Sequence, residues 1–222
     1  MAGNSFLQEI LEANQNFRKK TNVKTFEAYR ENQSPVATVV MCSDSRLQLE
    51  ILFSETINKI FVVRNIGNQI MNNQGSVDYG VLHLKTPYLL IIGHTNCGAI
   101  KTALTDYSKK TSGIVSELNS LQLPLKNFKA DFSPFLWQKA VEANVDFQVS
   151  WALERYTALV KANELAIIGL IYDLSNYYGK GFGRIHLKNI NGEKEPAALL
   201  KHNFLQTLSP EEKNLLVAPF VK

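Results

Sequence analysis

Two cysteines and one histidine in this 222-residue sequence have the types and spacing to hold a metal. His94 and Cys97 are separated by two residues, so one tight turn can aim an imidazole and a thiol at the same point. Cys42 is the only other cysteine. Two thiolates and an imidazole suit zinc, a borderline-soft ion that takes tetrahedral nitrogen and sulfur ligands. Three protein donors leave a fourth position open, as in a catalytic zinc site rather than a structural one. Zinc with two thiolates is neutral, and hydroxide in the fourth place makes the site negative, so a nearby cation is useful. Arg46 is the candidate, with Asp44 lying between it and Cys42. Asp44 can accept a hydrogen bond from the zinc-bound water while paired to Arg46, or it can swing in and take the fourth position itself. Cys97 is expected to open a helix whose partial positive charge favours its thiolate.

Each piece alone has a plainer reading. His-x-x-Cys by itself is a weak signal. A lone cysteine such as Cys42 is commonly a small buried hydrophobe, and Asp44 with Arg46 is commonly a turn and a surface ion pair. A closed structural site with Asp44 as permanent fourth ligand also satisfies the chemistry. Placement is what favours the functional reading. His83 falls in a helical stretch, His186 in an edge strand and His202 in the tail; all three read as structural or surface residues.

The elements that must position these residues are short apolar runs rich in branched side chains: 36–41, 60–64, 88–92 and 165–172. Such runs fit strands of a parallel sheet buried on both faces. Helical patterns lie between them at 76–85, 97–107 and 134 to about 162, the last opened by Ser133 as N-cap and Pro134 in the first turn. An alternating segment at 183–188 reads as an edge strand with Ile185 and Leu187 inward. Before the sheet, residues 4–19 form an amphipathic pattern with Phe6, Ile10, Ala13 and Phe17 on one stripe. Strands alternating with helices predict an α/β fold with a mostly parallel central sheet flanked by helices, an antiparallel edge strand and an N-terminal helical arm. Cys42–Arg46, Arg64–Asn68 and His94–Gly98 each directly follow one of these strands. In open α/β sheets that is where ligands bind.

The chain is long enough for a sizeable core and reads as one domain over 1–222: arm 1–33, catalytic core 34–188, C-terminal extension 189–222. The net charge of +4 is spread along the sequence without a basic cluster, so no nucleic-acid partner is expected. The first twenty residues lack a secretory pattern, and no apolar run approaches the ~18 residues of a membrane span. A cytoplasmic location is expected, where cysteines serve as ligands, nucleophiles or fillers.

Cys-Ser-Asp-Ser-Arg at 42–46 followed by His-Thr-Asn-Cys-Gly at 94–98 resembles the β-class carbonic anhydrases. Phe61–Asn68 is similar to the family's V-R-N-x-x-N stretch, Ser76–Tyr79 to its S-x-x-Y helix, and Gly169–Asp173 to a late strand ending in Tyr-Asp. The similarity runs from about Leu7 to Lys188. It implies a lyase, carbonate dehydratase, that reversibly hydrates carbon dioxide to bicarbonate and a proton by zinc-bound hydroxide, with one Zn2+ per subunit held by Cys42, His94 and Cys97. Asp44 and Arg46 match the dyad that orients the hydroxide, and the matching aspartate is a fourth ligand in closed, inactive forms. Phe61, Ile66 and Tyr79 match the apolar pocket, and Gly98 matches a backbone contact to substrate. Gln33 matches a glutamine that hydrogen-bonds bicarbonate across a dimer interface in plant-type members. Val39 stands where members with an inhibitory bicarbonate site carry tryptophan, which points to the open, plant-like subgroup. The family forms dimers with sites at the interface, so a homodimer or tetramer is expected. Rival readings are a carbon disulfide or carbonyl sulfide hydrolase on the same scaffold, a non-catalytic structural or sensory zinc protein, and a thiol-redox protein.

Overall fold

The structure is a computed structural model describing residues 2–128 and 133–217. The chain divides after Ser34 into two compact units. The first holds α1 (Ala2–Lys20) and α2 (Val23–Ala28). Arg18, Lys19 and Lys20 close α1, where cations complement the helix dipole. The Asn22 side chain accepts from Lys24 N at 3.0 Å and so starts α2. Phe17 and Phe26 meet edge to face at 6.3 Å between ring centroids. The expected stripe is there, but Phe6, Ile10 and Phe17 are exposed, as are Leu7 and Leu11.

The second unit is built on a five-stranded sheet in the order β2-β1-β3-β4-β5. Its strands are β1 (Ala37–Cys42), β2 (Ile60–Asn65), β3 (Tyr88–His94), β4 (Ala166–Asp173) and β5 (Arg184–Ile190). The first four are parallel and β5 runs antiparallel to β4. All six residues of β1 are buried, as a central strand covered on both faces must be. Val39 is wholly buried, with Val62 and Leu90 opposite it on the neighbouring strands. Burying side chains of this size contributes about 1.5–3 kcal/mol each.

The crossovers carry α3 (Gln74–Asp78), α4 (Gly98–Ala103), α5 (Ser112–Ser120), α6 (Gln122–Leu125), α7 (Pro134–Arg155) and α8 (Thr157–Lys161). Ser133 Oγ accepts from Leu136 N at 3.2 Å and Pro134 occupies the first turn, so α7 begins as its capping sequence predicts. It lies against β3 and β4 at Gly93, where an added Cβ would fall 2.6 Å from Val145 Cγ2.

Several helices differ from the sequence expectation. The stretch at 76–85 starts earlier, at Gln74, and becomes a π-turn over Tyr79–His83. The Gly80 carbonyl accepts from Thr86 N and Oγ1, both at 3.2 Å, instead of from Leu84. Leu84 N therefore reaches back to Tyr79 O at 2.9 Å. The helix at 97–107 ends at Ala103, and the long one at 134–162 breaks at Tyr156. His186 is fully buried against Tyr178, while His202 caps a turn by accepting from Phe204 N at 3.2 Å. Beyond β5 come α9 (Pro196–Leu199) and α10 (Pro210–Leu216), the latter opened by a Ser209–Glu212 capping box. Leu199, Leu205 and Val217 are buried, and Val217 pairs with Leu187 of β5. Among the described residues no helix is long and apolar enough to cross a membrane.

Candidate metal centre

β1 and β3 are neighbours, yet the chain passes from β1 to β2 on one side before returning to β3 on the other. Their carboxyl ends flank the point where strand order reverses, the crevice in which open α/β sheets bind ligands. Cys42 is the last residue of β1 and His94 the last of β3. Asn96 takes φ +58°, a left-handed value asparagine tolerates, and the turn it makes brings back Cys97 as N-cap of α4.

The ligand atoms of Cys42, His94 and Cys97 all lie within 4.8 Å of one another, and all three residues are buried. His94 Nδ1 faces Thr95 O at 3.0 Å, which places the ring proton on Nδ1 and leaves a lone pair on Nε2. Nε2 is buried without a hydrogen-bond partner. An orphaned buried nitrogen beside two thiols is costly for a bare protein and is what a metal ion satisfies. The donor set, two sulfurs and one imidazole, fits zinc.

The thiols are not equivalent. The neighbouring Cys97 side chain lowers the Cys42 thiol against the opposing effect of burial, with His94 and the Gly67 backbone amide adding to the lowering. Cys97 is pushed well above the ordinary thiol range by the neighbouring Cys42 and by burial. The α4 amides of Ile100 and Ala99 do pull it down, but they are outweighed. The amides at the start of α4 act on Cys97 in the direction the sequence argument expected, against the stronger opposing effect of the neighbouring Cys42.

Asp44 and Arg46 stand beside this cluster. Arg46 donates from Nε to Asp44 Oδ1 at 2.9 Å, from Nη2 to Oδ2 at 2.7 Å, and from its backbone N to Oδ1 at 3.0 Å. These bonds hold the Asp44 carboxyl well below the usual carboxylate range. Asp44 Oδ2 lies 3.9 Å from His94 Nε2.

Arg64 is a component whose role the spacing did not reveal. Its Nη2 donates to Cys42 O at 3.1 Å, Asp44 O at 3.3 Å and Leu47 O at 2.6 Å, and its Nε to Cys42 O at 3.2 Å. One guanidinium thus ties down the carbonyls of the loop that carries Cys42, Asp44 and Arg46. Trp137, from α7, donates Nε1–H to Cys97 O at 3.0 Å. Arg64 opens the strand-end motif at 64–68, but its spacing did not show which carbonyls it binds; Trp137 lies in α7, far from the three motifs, and no local signal marks it.

The remaining candidates are distributed unevenly. Gly98, exposed, begins α4 directly after Cys97, and a Cβ there would meet nothing within 4 Å, so its backbone is open to a small ligand. Ile66 follows the end of β2, half-buried. Phe61 and Tyr79 pack together at 5.7 Å between centroids. Phe61, however, pairs with Thr38, whereas Asn65 pairs with Cys42. Four residues at ~3.3 Å each put Phe61 about 13 Å down the ladder from the ligands of its own chain. Gln33 is exposed in the first unit.

A family model described as carbonic anhydrase matches residues 37–180, the greater part of the chain. The chain belongs to the β-class carbonic anhydrases. A carbonic anhydrase of Mycolicibacterium smegmatis is 34% identical over 175 residues, covering 72% of this chain and 78% of that protein. The solved β-carbonic anhydrase of Coccomyxa, in complex with acetazolamide, superposes with a TM-score of 0.67 at 28% identity, covering 75% of this chain and 82% of that one. A tetrameric β-carbonic anhydrase from Sordaria macrospora shares the fold, with a TM-score of 0.70 at 21% identity, covering 84% of this chain and 97% of that one. The matched span contains Cys42, Asp44, Arg46, His94 and Cys97, so the cluster that could hold a metal ion lies inside the family region of this β-class carbonic anhydrase.

Proposed function

We propose that Cys42, His94 and Cys97 hold one zinc ion and that this centre reversibly hydrates carbon dioxide to bicarbonate and a proton. The observation that carries the reading is the buried Cys42–His94–Cys97 cluster with its unpartnered His94 Nε2, next to an Asp44 already paired to Arg46. Zinc bound there supplies Lewis acidity that makes water a nucleophile near neutral pH. Asp44 accepts a hydrogen bond from the attacking water and aims its lone pair at the carbon of carbon dioxide. Arg46 keeps Asp44 in that role by occupying both carboxylate oxygens, so the carboxylate does not compete for the fourth ligand position. The open backbone at Gly98 receives an oxygen of the product.

The apolar wall requires a second copy of the chain. Phe61 lies too far along β2 to reach its own chain's candidate ligands, and Tyr79 packs on Phe61, so they, with Gln33, serve the site of a neighbouring subunit, while Ile66 serves its own. This is the arrangement of a homodimer, or a tetramer built from dimers, in which the arm at 1–33 and its exposed apolar stripe pack on the partner. We take 34–188 as the catalytic core and 189–222 as an extension, and place the protein in the cytoplasm. Gln33 and the wholly buried Val39 favour the plant-like, open form over one with Asp44 as permanent fourth ligand.

Stopped-flow hydration of carbon dioxide with parallel zinc analysis tests the reading, with carbon disulfide as a second substrate. One zinc per chain is expected, with carbon dioxide turnover rising toward alkaline pH, because two thiolates would donate more charge to the metal than imidazoles do and leave its bound water less acidic. Cys42→Ser is expected to lose both zinc and turnover. A zinc-loaded protein that leaves carbon dioxide untouched, or a Cys42→Ser variant with full zinc, would sink it.

A further inference from the structure

We propose that Thr95 and Asp173 are positioning residues for the metal centre: the buried Asp173 carboxylate, acting through the Thr95 hydroxyl, fixes the peptide that orients His94. This rests on the zinc reading above and adds residues to which that reading assigns no role. Both side chains are buried, Thr95 at 1% exposure and Asp173 at 0%. The Thr95 hydroxyl donates to Asp173 Oδ1 at 3.3 Å and accepts from Leu174 N at 2.8 Å, so both of its capacities are used. Thr95 N donates to Tyr172 O at 3.0 Å, which carries the β3–β4 ladder one residue past His94. The carboxylate is itself anchored. Its Oδ1 accepts from Ser175 N at 3.1 Å and Tyr177 N at 3.0 Å, and its Oδ2 accepts from Tyr178 N at 3.0 Å.

These bonds converge on one peptide. The Thr95 carbonyl is the acceptor for His94 Nδ1–H, at 3.0 Å. That bond selects the tautomer with a bare Nε2 and sets the direction in which the lone pair points. A ligating histidine commonly donates its second ring nitrogen to a fixed acceptor, and loss of such an outer partner weakens metal binding. Here the acceptor is the residue next to the ligand, which by itself can rotate with the loop. The hydroxyl bonds to Asp173 and Leu174 remove that freedom by welding the loop to the end of β4. Asp173 touches neither ligand nor substrate; its influence passes through Thr95.

The test compares Thr95→Val, isosteric but without the hydroxyl, with Thr95→Ser, which keeps it. Zinc affinity is measured by competition with a chromophoric chelator, and ligand geometry by the absorption spectrum of the cobalt(II)-loaded protein. Thr95→Val is expected to bind zinc roughly 10- to 100-fold more weakly and to shift the cobalt spectrum, and Thr95→Ser to restore both. Wild-type affinity with an unchanged cobalt spectrum in Thr95→Val overturns the proposal. So does a Thr95→Ser variant that falls as far as the valine, since packing and not the hydroxyl is then responsible. Should Thr95→Val not fold, Asp173→Asn takes its place and must show the same loss. A wild-type protein that takes up no zinc fails the metal reading itself, a result distinct from wild-type uptake with insensitive variants.

Discussion

Arg46 grips Asp44 with two parallel hydrogen bonds, Nε to Oδ1 at 2.9 Å and Nη2 to Oδ2 at 2.7 Å. Such bidentate, charge-assisted pairing is among the stronger polar contacts and fixes orientation as well as distance. It keeps both Asp44 oxygens engaged although Oδ2 is only 3.9 Å from His94 Nε2. Removing the guanidinium frees the carboxylate to move that short distance. Arg46→Ala is therefore expected to retain zinc and to lose about 100-fold or more in carbon dioxide turnover, the scale on which orienting groups act. Zinc analysis beside stopped-flow kinetics checks it; normal turnover in the variant contradicts the dyad.

Arg64 acts on the same loop from behind. Its guanidinium binds the carbonyls of Cys42, Asp44 and Leu47, and no other residue type supplies a planar fork for three acceptors at once. Arg64→Ala is expected to cost roughly 1–3 kcal/mol in urea unfolding. Arg64→Lys is expected to recover only part of this, since an ammonium cannot spread over the three carbonyls. Equal stability of Lys and Arg at this position counts against the clamp.

The separation of Phe61 from Cys42 along β1 and β2 makes a prediction about assembly. If Gln33, Phe61 and Tyr79 serve a neighbouring subunit, Gln33→Leu and Arg46→Ala damage one site from two different chains. Subunits of the two variants are mixed and allowed to exchange. Each hybrid dimer is expected to regain one undamaged site by symmetry, so the mixture outperforms both parents. A mixture no better than the mean of its parents shows that each chain completes its own site.

Asp78 supplies a pH-dependent contribution at the other end of the strands. It accepts from Arg155 Nε at 2.8 Å and from Tyr156 OH at 2.7 Å, and the Arg155 guanidinium lowers its carboxyl below the ordinary range. A carboxylate depressed in the folded state stabilises it fully above the unfolded value, about 4, and the contribution fades as pH falls through the folded value. Asp78→Asn is expected to lose about 1–3 kcal/mol at neutral pH. The gap to wild type should close with acidification in denaturant titrations across pH 2–7. A gap independent of pH is incompatible with this origin.

Much of the scaffold was legible in the sequence because it rests on local pattern. Branched apolar runs mark β1 to β4, the Ser133-Pro134 start of α7 is a capping signal, and three polar motifs fall at strand ends. The Tyr79–His83 π-turn was not legible, because it arises where Gly80 meets Thr86, a contact made by the fold. The helices beyond β5 carry ordinary caps, but the notice they deserve comes only from the core positions that Leu199 and Val217 fill.

By itself the sequence named Cys42, His94 and Cys97 as candidate donors, Asp44 and Arg46 as a candidate pair beside them, and the alternation that places them at strand ends. Residue type and short spacing suffice for these, since they depend on chemistry and on the periodicities of helix and strand. Only the tertiary structure decided that the three donors converge and that His94 presents a bare Nε2. The same is true of the bonds that Arg64 and Trp137 make to the loops carrying the candidate ligands, and of the separation of Phe61 from Cys42 along the strands. Each of these is set by contacts between segments remote in sequence, and hydrogen-bond geometry and burial exist only once the sheet has brought those segments together.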